Sequence, residues 1–248
     1  MQRFLIDRHC IDAESVVLKG EVVHQIRDVL RLRKGARIVV FNDEGLEYTV
    51  VLDSVKKDRI AGTIESTRER VETAVKITLY QALLKSDRFE FVLQKCTEIG
   101  VTEFVPIMCC RCVAGKPGAN KIQRWEKVIK EATEQSGRSV PPALKSTASF
   151  EDAIRSARGL SIIASTGSAS LSLREIIRPT ANVNILIGPE GGFTDDELES
   201  ARRHGVKEAT LGPNTLRAET AGLVAATVIL YEWGELDRPT LNILSMTE

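Results

Sequence analysis

The segment "VNILIGPEGGFTDDELE", residues 183 to 199, combines an apolar strand, a glycine-rich loop and the start of a helix. Thr194 is positioned to cap that helix, and Glu197, three residues later, completes a capping box. Strands that alternate with helices in this way form mostly parallel sheets that helices cover on both faces. The segment therefore predicts an α/β fold.

Four other apolar runs repeat the strand pattern: "VKITLYQAL" from residue 75, "VTEFVPIM" from 101, "LSIIAS" from 160 and "VKEATLG" from 206. Amphipathic helical patterns lie between most of them. The clearest, residues 121–137, has a single apolar stripe composed of Ile122, Trp125, Val128, Ile129 and Ala132. We expect these runs to be strands of one α/β domain.

The amino-terminal part of the chain has a different pattern. Residues 37–66 consist of short β-branched runs separated by polar turns, which predicts a small antiparallel sheet or barrel. Residues 67–74, "TRERVETA", are interpreted as a linker. The sequence therefore predicts two domains, a β-rich domain over residues 1–70 and an α/β domain over residues 75–248.

Composition excludes several classes of protein. The 248 residues are 43% hydrophobic, which is ample for a core, and no apolar run approaches the roughly 20 residues of a membrane helix. The charged start "MQRFLIDRHC" lacks the apolar centre of a signal peptide. We expect a soluble cytoplasmic protein with no membrane partner.

The five cysteines are an odd number in a chain too large to depend on disulfides, which suits a reducing compartment. Cys109 and Cys112 form a C-x-x-C pair, but no second pair of ligands follows at the spacing of a zinc site. We interpret them as reduced structural thiols and expect no metal.

The formal net charge is +0, so the composition shows no global tendency to bind nucleic acid. One local cluster, "RDVLRLRKGAR", concentrates five cations between residues 27 and 37. By itself such a cluster is more typical of a solvated surface than of a nucleic-acid site.

The loop after the strand at 183–187 has features of a ligand site. Gly188, Gly191 and Gly192 let the backbone approach a ligand, but the loop matches neither a P-loop nor a dinucleotide-binding motif. The carboxylates at the start of the following helix would repel a phosphate, so a neutral or cationic ligand fits better than ATP or NAD. The loop could be only a well-capped turn, but Glu190 adds nothing to the capping and indicates a ligand or active-site role.

A second loop, "GPNTLRAET" at 212–220, leads into a helix that is apolar almost all round. Such a helix is buried, either in its own domain or against a second subunit. Arg217 and Glu219 allow two interpretations: a salt bridge at the helix start with Thr220 assisting the cap, or two ionisable groups held over a ligand.

With both loops considered, the chain resembles the RsmE family of 16S rRNA uracil-N3 methyltransferases, which belong to the SPOUT class. The similarity runs nearly end to end. Its motifs are, in order, Arg3-Phe4, His24 through "VLR" at 29–31, "ALLKSDRFEFVLQKCTEIGV" at 82–101, "RWEKVIKEATEQSGR" at 124–138, "IGPEGGFTDDELE" at 187–199 and "LGPNTLRAETA" at 211–221.

The resemblance implies a PUA-like β-barrel domain that binds RNA, followed by a SPOUT methyltransferase domain with a carboxyl-terminal trefoil knot. It implies a homodimer with the site near the subunit interface, and S-adenosylmethionine as cofactor. The partner would be 16S rRNA or the small ribosomal subunit, and neither DNA nor a membrane. The residues implied for the cofactor are Ile187, Gly188, Pro189, Glu190, Gly191, Leu211, Gly212, Leu216, Arg217, Glu219, Thr220 and Ala221.

The catalytic residues implied are Arg217 and Glu219. The N3 atom of uracil is a poor nucleophile until its proton leaves, so the site needs a base or a cation that favours the anion. We expect Arg217 to stabilise negative charge on the uracil carbonyl oxygens. Glu219, or alternatively Glu190, would orient the arginine or accept the proton.

The candidates for RNA contacts are Arg3, Arg8, His24, Arg27, Arg31, Arg33, Lys34 and Arg111. Phosphate contacts of this kind provide affinity without reading sequence. At residues 109–112, where the family often has a Thr-Glu-Arg-Ser-like stretch, this chain has "CCRC", with Cys110 in the acidic place.

Three alternatives remain open. One is another SPOUT methyltransferase that acts on a ribose hydroxyl or a tRNA base. Another is a non-catalytic RNA-binding factor of ribosome assembly, against which the intact loop motifs argue. The weakest is a nicotinamide dehydrogenase, because the phosphate loop is missing.

Overall fold

The computed structural model describes residues 1–42, 44–69, 73–85, 87–167 and 171–237. Their contacts group the chain into two compact units, Met1–Glu72 with Glu126–Pro141, and Thr73–Trp125 with Pro142–Glu248. Within the described ranges no helix is both long enough and apolar enough to cross a membrane.

The first unit contains a five-stranded sheet. Its strands are β1 (Arg3–Leu5), β2 (Ser15–Leu18), β3 (Arg37–Phe41), β4 (Leu46–Val55) and β5 (Ile60–Glu69), in the order β1-β3-β4-β5-β2. All neighbours are antiparallel except β1 and β3, which confirms the antiparallel sheet predicted over residues 37–66. A short helix, α1 (Glu21–His24), continues into a π-helical turn at Gln25–Val29. Strand β5 extends through residues 67–69 of the predicted linker, and residues 70–72 lie outside the described part of the chain.

The first unit encloses a buried ionic cluster around Glu47, whose side chain is 1% exposed. Arg3 pairs with one carboxylate oxygen, and Ser139 Oγ donates to the same oxygen at 2.8 Å. Arg68 Nε donates to the other oxygen at 2.6 Å. Burial raises the pKa of Glu47, but the hydrogen bonds from Arg3, Ser139 and Arg68 outweigh it and lower the pKa to about 2.

The second unit contains a parallel sheet in the order β11-β13-β10-β12-β6-β7-β8. Its long strands are β6 (Lys76–Ala82), β7 (Glu103–Met108), β10 (Leu160–Ala164), β12 (Asn182–Ile187) and β13 (Lys207–Thr210), which confirms all five predicted strands. Three two-residue strands were not predicted: β8 (Ala143–Leu144), β9 (Ala148–Ser149) and β11 (Leu171–Ser172). Because β13, β10 and β12 are neighbours and parallel, the loops that follow them meet at one edge of the sheet.

The helices that follow residue 73 are α2 (Arg88–Ile99), α3 (Ala119–Ser136), α4 (Phe150–Ser156), α5 (Leu173–Ile176), α6 (Asp195–Arg203) and α7 (Ala218–Glu232), and α3 belongs to the first unit from Glu126 onwards. In α3 the predicted apolar stripe is buried at Trp125, whose ring stacks on Phe89 of α2 with centroids 4.2 Å apart. Ile122, predicted on the same stripe, is 37% exposed, because the buried face of α3 begins one turn later. That part of the prediction is wrong.

Candidate active site

A cavity of about 720 Å³ lies at the carboxyl ends of β10, β12 and β13, within the second unit. Its volume falls in the ordinary range of small-molecule sites. Its lining comprises residues 164–167, 187–193, 210–212, 214–219 and 221, together with Arg88, Arg111, Asp195 and Leu198. Both loops that the sequence singles out therefore border one cavity.

All the residues implied for the cofactor line this cavity except Thr220. The backbone N–H of Thr220 donates to Arg217 O at 2.9 Å in the first turn of α7. Gly212, in the turn between β13 and α7, has φ of +118°, a conformation that disfavours residues with a Cβ atom. The cofactor roles themselves stay predictions.

The first loop is held by the capping box that the sequence predicts. Thr194 Oγ1 accepts from the backbone N–H of Glu197 at 3.2 Å, and Glu197 Oε2 accepts from the backbone N–H of Thr194 at 2.8 Å. Phe193 and Leu198, spaced as a hydrophobic staple, pack in the same core cluster. The helix start is therefore satisfied by its own side chains, and Glu190 takes no part in it.

Arg111 lies over this loop. Its Nη1 donates to Gly191 O at 2.9 Å and to Phe193 O at 3.1 Å. A Cβ atom on Gly191 would lie 3.3 Å from Arg111 Cβ, which is tighter than an ordinary contact. Arg111, predicted to meet RNA or the active site, thus borders the cavity, and the close approach gives Gly191 a packing reason to be glycine.

Arg88 is a cavity residue to which the sequence analysis assigned no role. Its Nη1 donates to Glu190 Oε1 at 3.0 Å, and its Nε lies 3.9 Å from Glu219 Oε1. Arg88 belongs to the family motif at 82–101, but local sequence does not show that the first residue of α2 faces loops about a hundred residues away. Arg88 thus links the acidic residues of the two loops.

Glu219 has one unsatisfied carboxylate oxygen. The side chain is 12% exposed, and its buried Oε2 has no hydrogen-bond partner among the described residues. A buried polar atom without a partner is costly unless a ligand or water completes its hydrogen bond. Glu219 thus borders the cavity with a carboxylate whose Oε2 is satisfied by no hydrogen bond from the described residues.

Arg217 is exposed and occupies the N-cap position of α7 without making a side-chain cap. No hydrogen bond or ion pair joins its guanidinium to the described ranges, so the helix-start salt bridge with Glu219 is not formed there. The cation is left free at the rim of the cavity.

The cations predicted to contact RNA in the first unit differ in what they already bind. Arg3 is 14% exposed and pairs with Glu47, which argues against a phosphate contact. Arg8 pairs with Glu44 at 2.6 Å, Arg27 pairs with Asp28 at 2.6 Å, and His24 lies 3.9 Å from Asp28. Arg31, Arg33 and Lys34 are exposed, and no ion pair joins them to the part of the chain that the structure describes.

Comparison with known proteins gives consistent matches over nearly the whole chain. The family model of an RNA methyltransferase domain matches residues 71–230, and that of an RNA methyltransferase PUA domain matches residues 18–65. Ribosomal RNA small subunit methyltransferase E of Bacillus subtilis (strain 168) is 33% identical over 248 residues, covering 94% of this chain and 97% of the relative.

Two solved structures share the fold at similar identity. Ribosomal RNA small subunit methyltransferase E of Neisseria gonorrhoeae, bound to S-adenosyl methionine, is 31% identical with a TM-score of 0.88, covering 94% of this chain and 98% of that one. A methyltransferase of Legionella pneumophila in complex with bound cofactor SAM is 31% identical with a TM-score of 0.87, covering 93% and 97%.

Proposed function

Because the chain belongs to the ribosomal RNA small subunit methyltransferase E family, we propose that it methylates N3 of a uridine in 16S rRNA with S-adenosylmethionine. The family and the bound cofactor of its solved relatives support methyl transfer to ribosomal RNA. The choice of N3 rests on the sequence resemblance and on the acid–base groups of the cavity. Such a substrate implies a cytoplasmic protein, because ribosomal subunits assemble there.

The cavity lining fits this cofactor better than a nucleotide phosphate. Its acidic residues, Glu190, Asp195 and Glu219, balance its three arginines, and it contains no lysine. S-adenosylmethionine carries a sulfonium and an ammonium cation, one carboxylate and no phosphate, so a lining of mixed charge suits it. When bound, the cofactor supplies an electrophilic methyl group.

Three side chains divide the work of activating the uracil. Glu219, whose carboxylate borders the cavity, accepts the N3 proton, so that the nitrogen becomes nucleophilic. The negative charge that spreads to the carbonyl oxygens is stabilised by Arg217, whose guanidinium has no partner among the described residues. Arg88 binds Glu190 at 3.0 Å and lies 3.9 Å from Glu219, so Glu219 is the less tightly paired of the two carboxylates and the better base.

The observation that carries the proposal is that one cavity is lined both by Glu219, whose Oε2 has no partner among the described residues, and by Arg217, whose guanidinium has none among them either. The test is incubation of the protein with methyl-labelled S-adenosylmethionine and small ribosomal subunits that lack the modification, followed by identification of the labelled nucleoside. Label in 3-methyluridine is the expected result. Label in a ribose or in another base would contradict the N3 assignment, and no label despite confirmed cofactor binding would contradict the rRNA substrate.

Arg217→Ala is expected to lower the single-turnover rate of methyl transfer by about 100-fold, because one preorganised cation that stabilises transition-state charge is lost. Cofactor affinity, measured by calorimetry, should change little, since the side chain lies at the exposed rim. The matched control is Arg203→Ala on α6, an exposed arginine outside the cavity lining. Equal rates in the two variants would contradict the role of Arg217.

RNA binding is proposed to depend on a basic patch, Arg31, Arg33 and Lys34. Replacing all three with Ala should reduce the dependence of log Kd on log salt by about two units for single-stranded RNA. Cofactor affinity should respond little to salt. The matched control replaces Lys56, Lys57 and Arg59, which are equally exposed in the turn between β4 and β5 of the same unit. A similar change of slope in both triple variants would show only a general charge effect.

The homodimer is proposed to form across the outer face of α7. The buried face of α7 carries four alanines, a glycine, Ile229 and Leu230, whereas the other side presents a stripe of Leu223, Val224, Thr227, Val228 and Tyr231. Tyr231 is 63% exposed. A second copy that packs on this stripe would give the apolar helix a partner on both sides. The trefoil knot implied by the resemblance stays a prediction.

Tyr231→Glu is expected to weaken dimerisation by about 100-fold or more, because the variant buries an unpaired charge at the interface. Tyr231 is exposed in the single chain, so folding should be preserved. Sedimentation over a range of concentrations measures the effect, and Tyr231→Phe serves as the control that should remain dimeric. A dimer unaffected by Tyr231→Glu would exclude this face.

A further inference from the structure

The C-x-x-C pair at the end of β7 has the geometry of a dithiol that can close. Residues 109–112 form a tight turn, in which the backbone N–H of Cys112 donates to Cys109 O at 3.0 Å. A turn of this kind brings its first and fourth Cα atoms within about 7 Å, and a disulfide needs about 4.4–6.8 Å. Cys112 Sγ also accepts from the backbone N–H of Cys109 at 3.3 Å, so the two residues already face each other.

The two sulfurs differ in chemical character. A hydrogen bond from the Cys109 side chain, assisted by the one from its backbone N–H, lowers the pKa of Cys112 to about 6, against an opposing effect of burial. The side-chain hydrogen bond between the two thiols, together with burial, raises the pKa of Cys109. Cys112 is partly exposed and Cys109 is 6% exposed. One residue is thus an accessible thiolate and the other a protected thiol beside it.

We propose that Cys109 and Cys112 form a reversible dithiol–disulfide site that acts on the cavity through Arg111. The oxidant is hydrogen peroxide. The Cys112 thiolate attacks the peroxide oxygen, the O–O bond breaks, and Cys112 becomes a sulfenic acid while hydroxide leaves and is protonated to water. The Cys109 sulfur then loses its proton, attacks the Cys112 sulfur and displaces a second water, so that two thiols supply the two electrons that reduce one peroxide.

Arg111 connects this site to the cavity because it lies between the two cysteines. Its guanidinium holds Gly191 O and Phe193 O, and the neighbouring backbone N–H of Cys110 donates to Glu197 Oε1 at 2.7 Å. Closing the disulfide draws Cys112 Sγ from hydrogen-bond distance of Cys109 to within bonding distance of the Cys109 sulfur, which shifts the turn that carries Arg111. In the oxidised protein Arg111 should therefore hydrogen-bond the 188–192 loop less well, and the protein should bind the cofactor more weakly.

The test compares the full-length protein after treatment with hydrogen peroxide and after treatment with dithiothreitol. Peptide mapping should find a disulfide between Cys109 and Cys112 that dithiothreitol removes. S-adenosylmethionine should bind the oxidised form about tenfold more weakly, the effect of losing one charge-assisted hydrogen bond. Cys110→Ser, which removes the exposed thiol between the pair, should preserve both effects, and Cys112→Ser should abolish both.

The coupling to cofactor affinity rests on the proposed function, whereas the disulfide does not. If the peptide map of the peroxide-treated protein shows Cys109 and Cys112 still reduced, or an adduct on Cys110 alone, the proposal is overturned. A disulfide with unchanged cofactor affinity would overturn the action through Arg111. If the reduced protein fails to bind S-adenosylmethionine, the proposed function fails, and the peptide map still decides whether the dithiol site exists. Reduced Arg111→Met protein should reproduce the weaker cofactor binding of the oxidised form.

Discussion

Glu219→Gln is expected to lower the single-turnover rate of methyl transfer by about 10²- to 10⁴-fold, the usual contribution of a positioned general base. The amide keeps the size of the side chain but cannot accept the N3 proton. Because Glu219 Oε2 has no partner among the described residues, the substitution breaks no hydrogen bond made by that oxygen. Cofactor affinity should therefore stay within about threefold, less than the tenfold that corresponds to 1.4 kcal/mol.

A matched variant distinguishes the role of Glu219 as general base from the general effect of removing one negative charge from the cavity lining. Glu190→Gln removes the same charge from the same lining, but its carboxylate already binds Arg88 at 3.0 Å. We expect a smaller loss of rate than in Glu219→Gln. Raising the pH should partly restore Glu219→Gln, since hydroxide can then remove the N3 proton. A larger loss in Glu190→Gln, or no pH rescue, would sink the assignment of Glu219 as the base.

Glu47→Gln should destabilise the first unit by about 3–5 kcal/mol, the typical cost of removing one partner from a buried ion pair. Glu47 is 1% exposed and accepts hydrogen bonds from Arg3, Arg68 and Ser139. The amide would remove the negative charge that the Arg3 and Arg68 guanidinium groups bind. Urea unfolding, followed by a probe in the amino-terminal sheet, measures the loss.

The dependence of stability on pH provides a second test of the ionic cluster around Glu47. The folded-state pKa of Glu47 lies near 2, below its ordinary value of 4.5. Its stabilisation is therefore fully present above about pH 4.5 and is lost as the pH falls towards 2, by on the order of 3 kcal/mol. The stability gap between the native protein and Glu47→Gln should shrink over that range. Glu65, in an exposed pair with Arg37 at 2.8 Å, is the control, because Glu65→Gln should have little effect. A pH-independent gap would contradict the lowered pKa.

Local sequence patterns were sufficient to predict the five long strands and the capped start of α6. A strand is recognised by its apolar run, and the box formed by Thr194 and Glu197 closes within four residues. These structures depend on neighbours in the chain, so no distant contact is needed to infer them. That both glycine-containing loops lie at one edge of the sheet was also predictable, since the carboxyl ends of parallel strands share one edge.

Tertiary contacts alone decided how the charged side chains are used. Nothing in the local sequence distinguishes the role of Arg3 from that of Arg31. In the structure Arg3 forms an ion pair with the buried Glu47, whereas Arg31 is exposed and has no ion pair in the described ranges. Arg88 reaches Glu190 across a sequence separation of 102 residues. Such pairings depend on which strands become neighbours, and local periodicity does not contain that information.

The sequence by itself thus determined the fold class, the loops that border the cavity and the family, because each depends on contiguous motifs. Only the tertiary structure decided that Glu219 Oε2 and the Arg217 guanidinium have no partner among the described residues, and that Arg111 hydrogen-bonds the 188–192 loop. The physical reason is that a charge acts over a few ångströms in space, and its partners are set by the packing of distant segments.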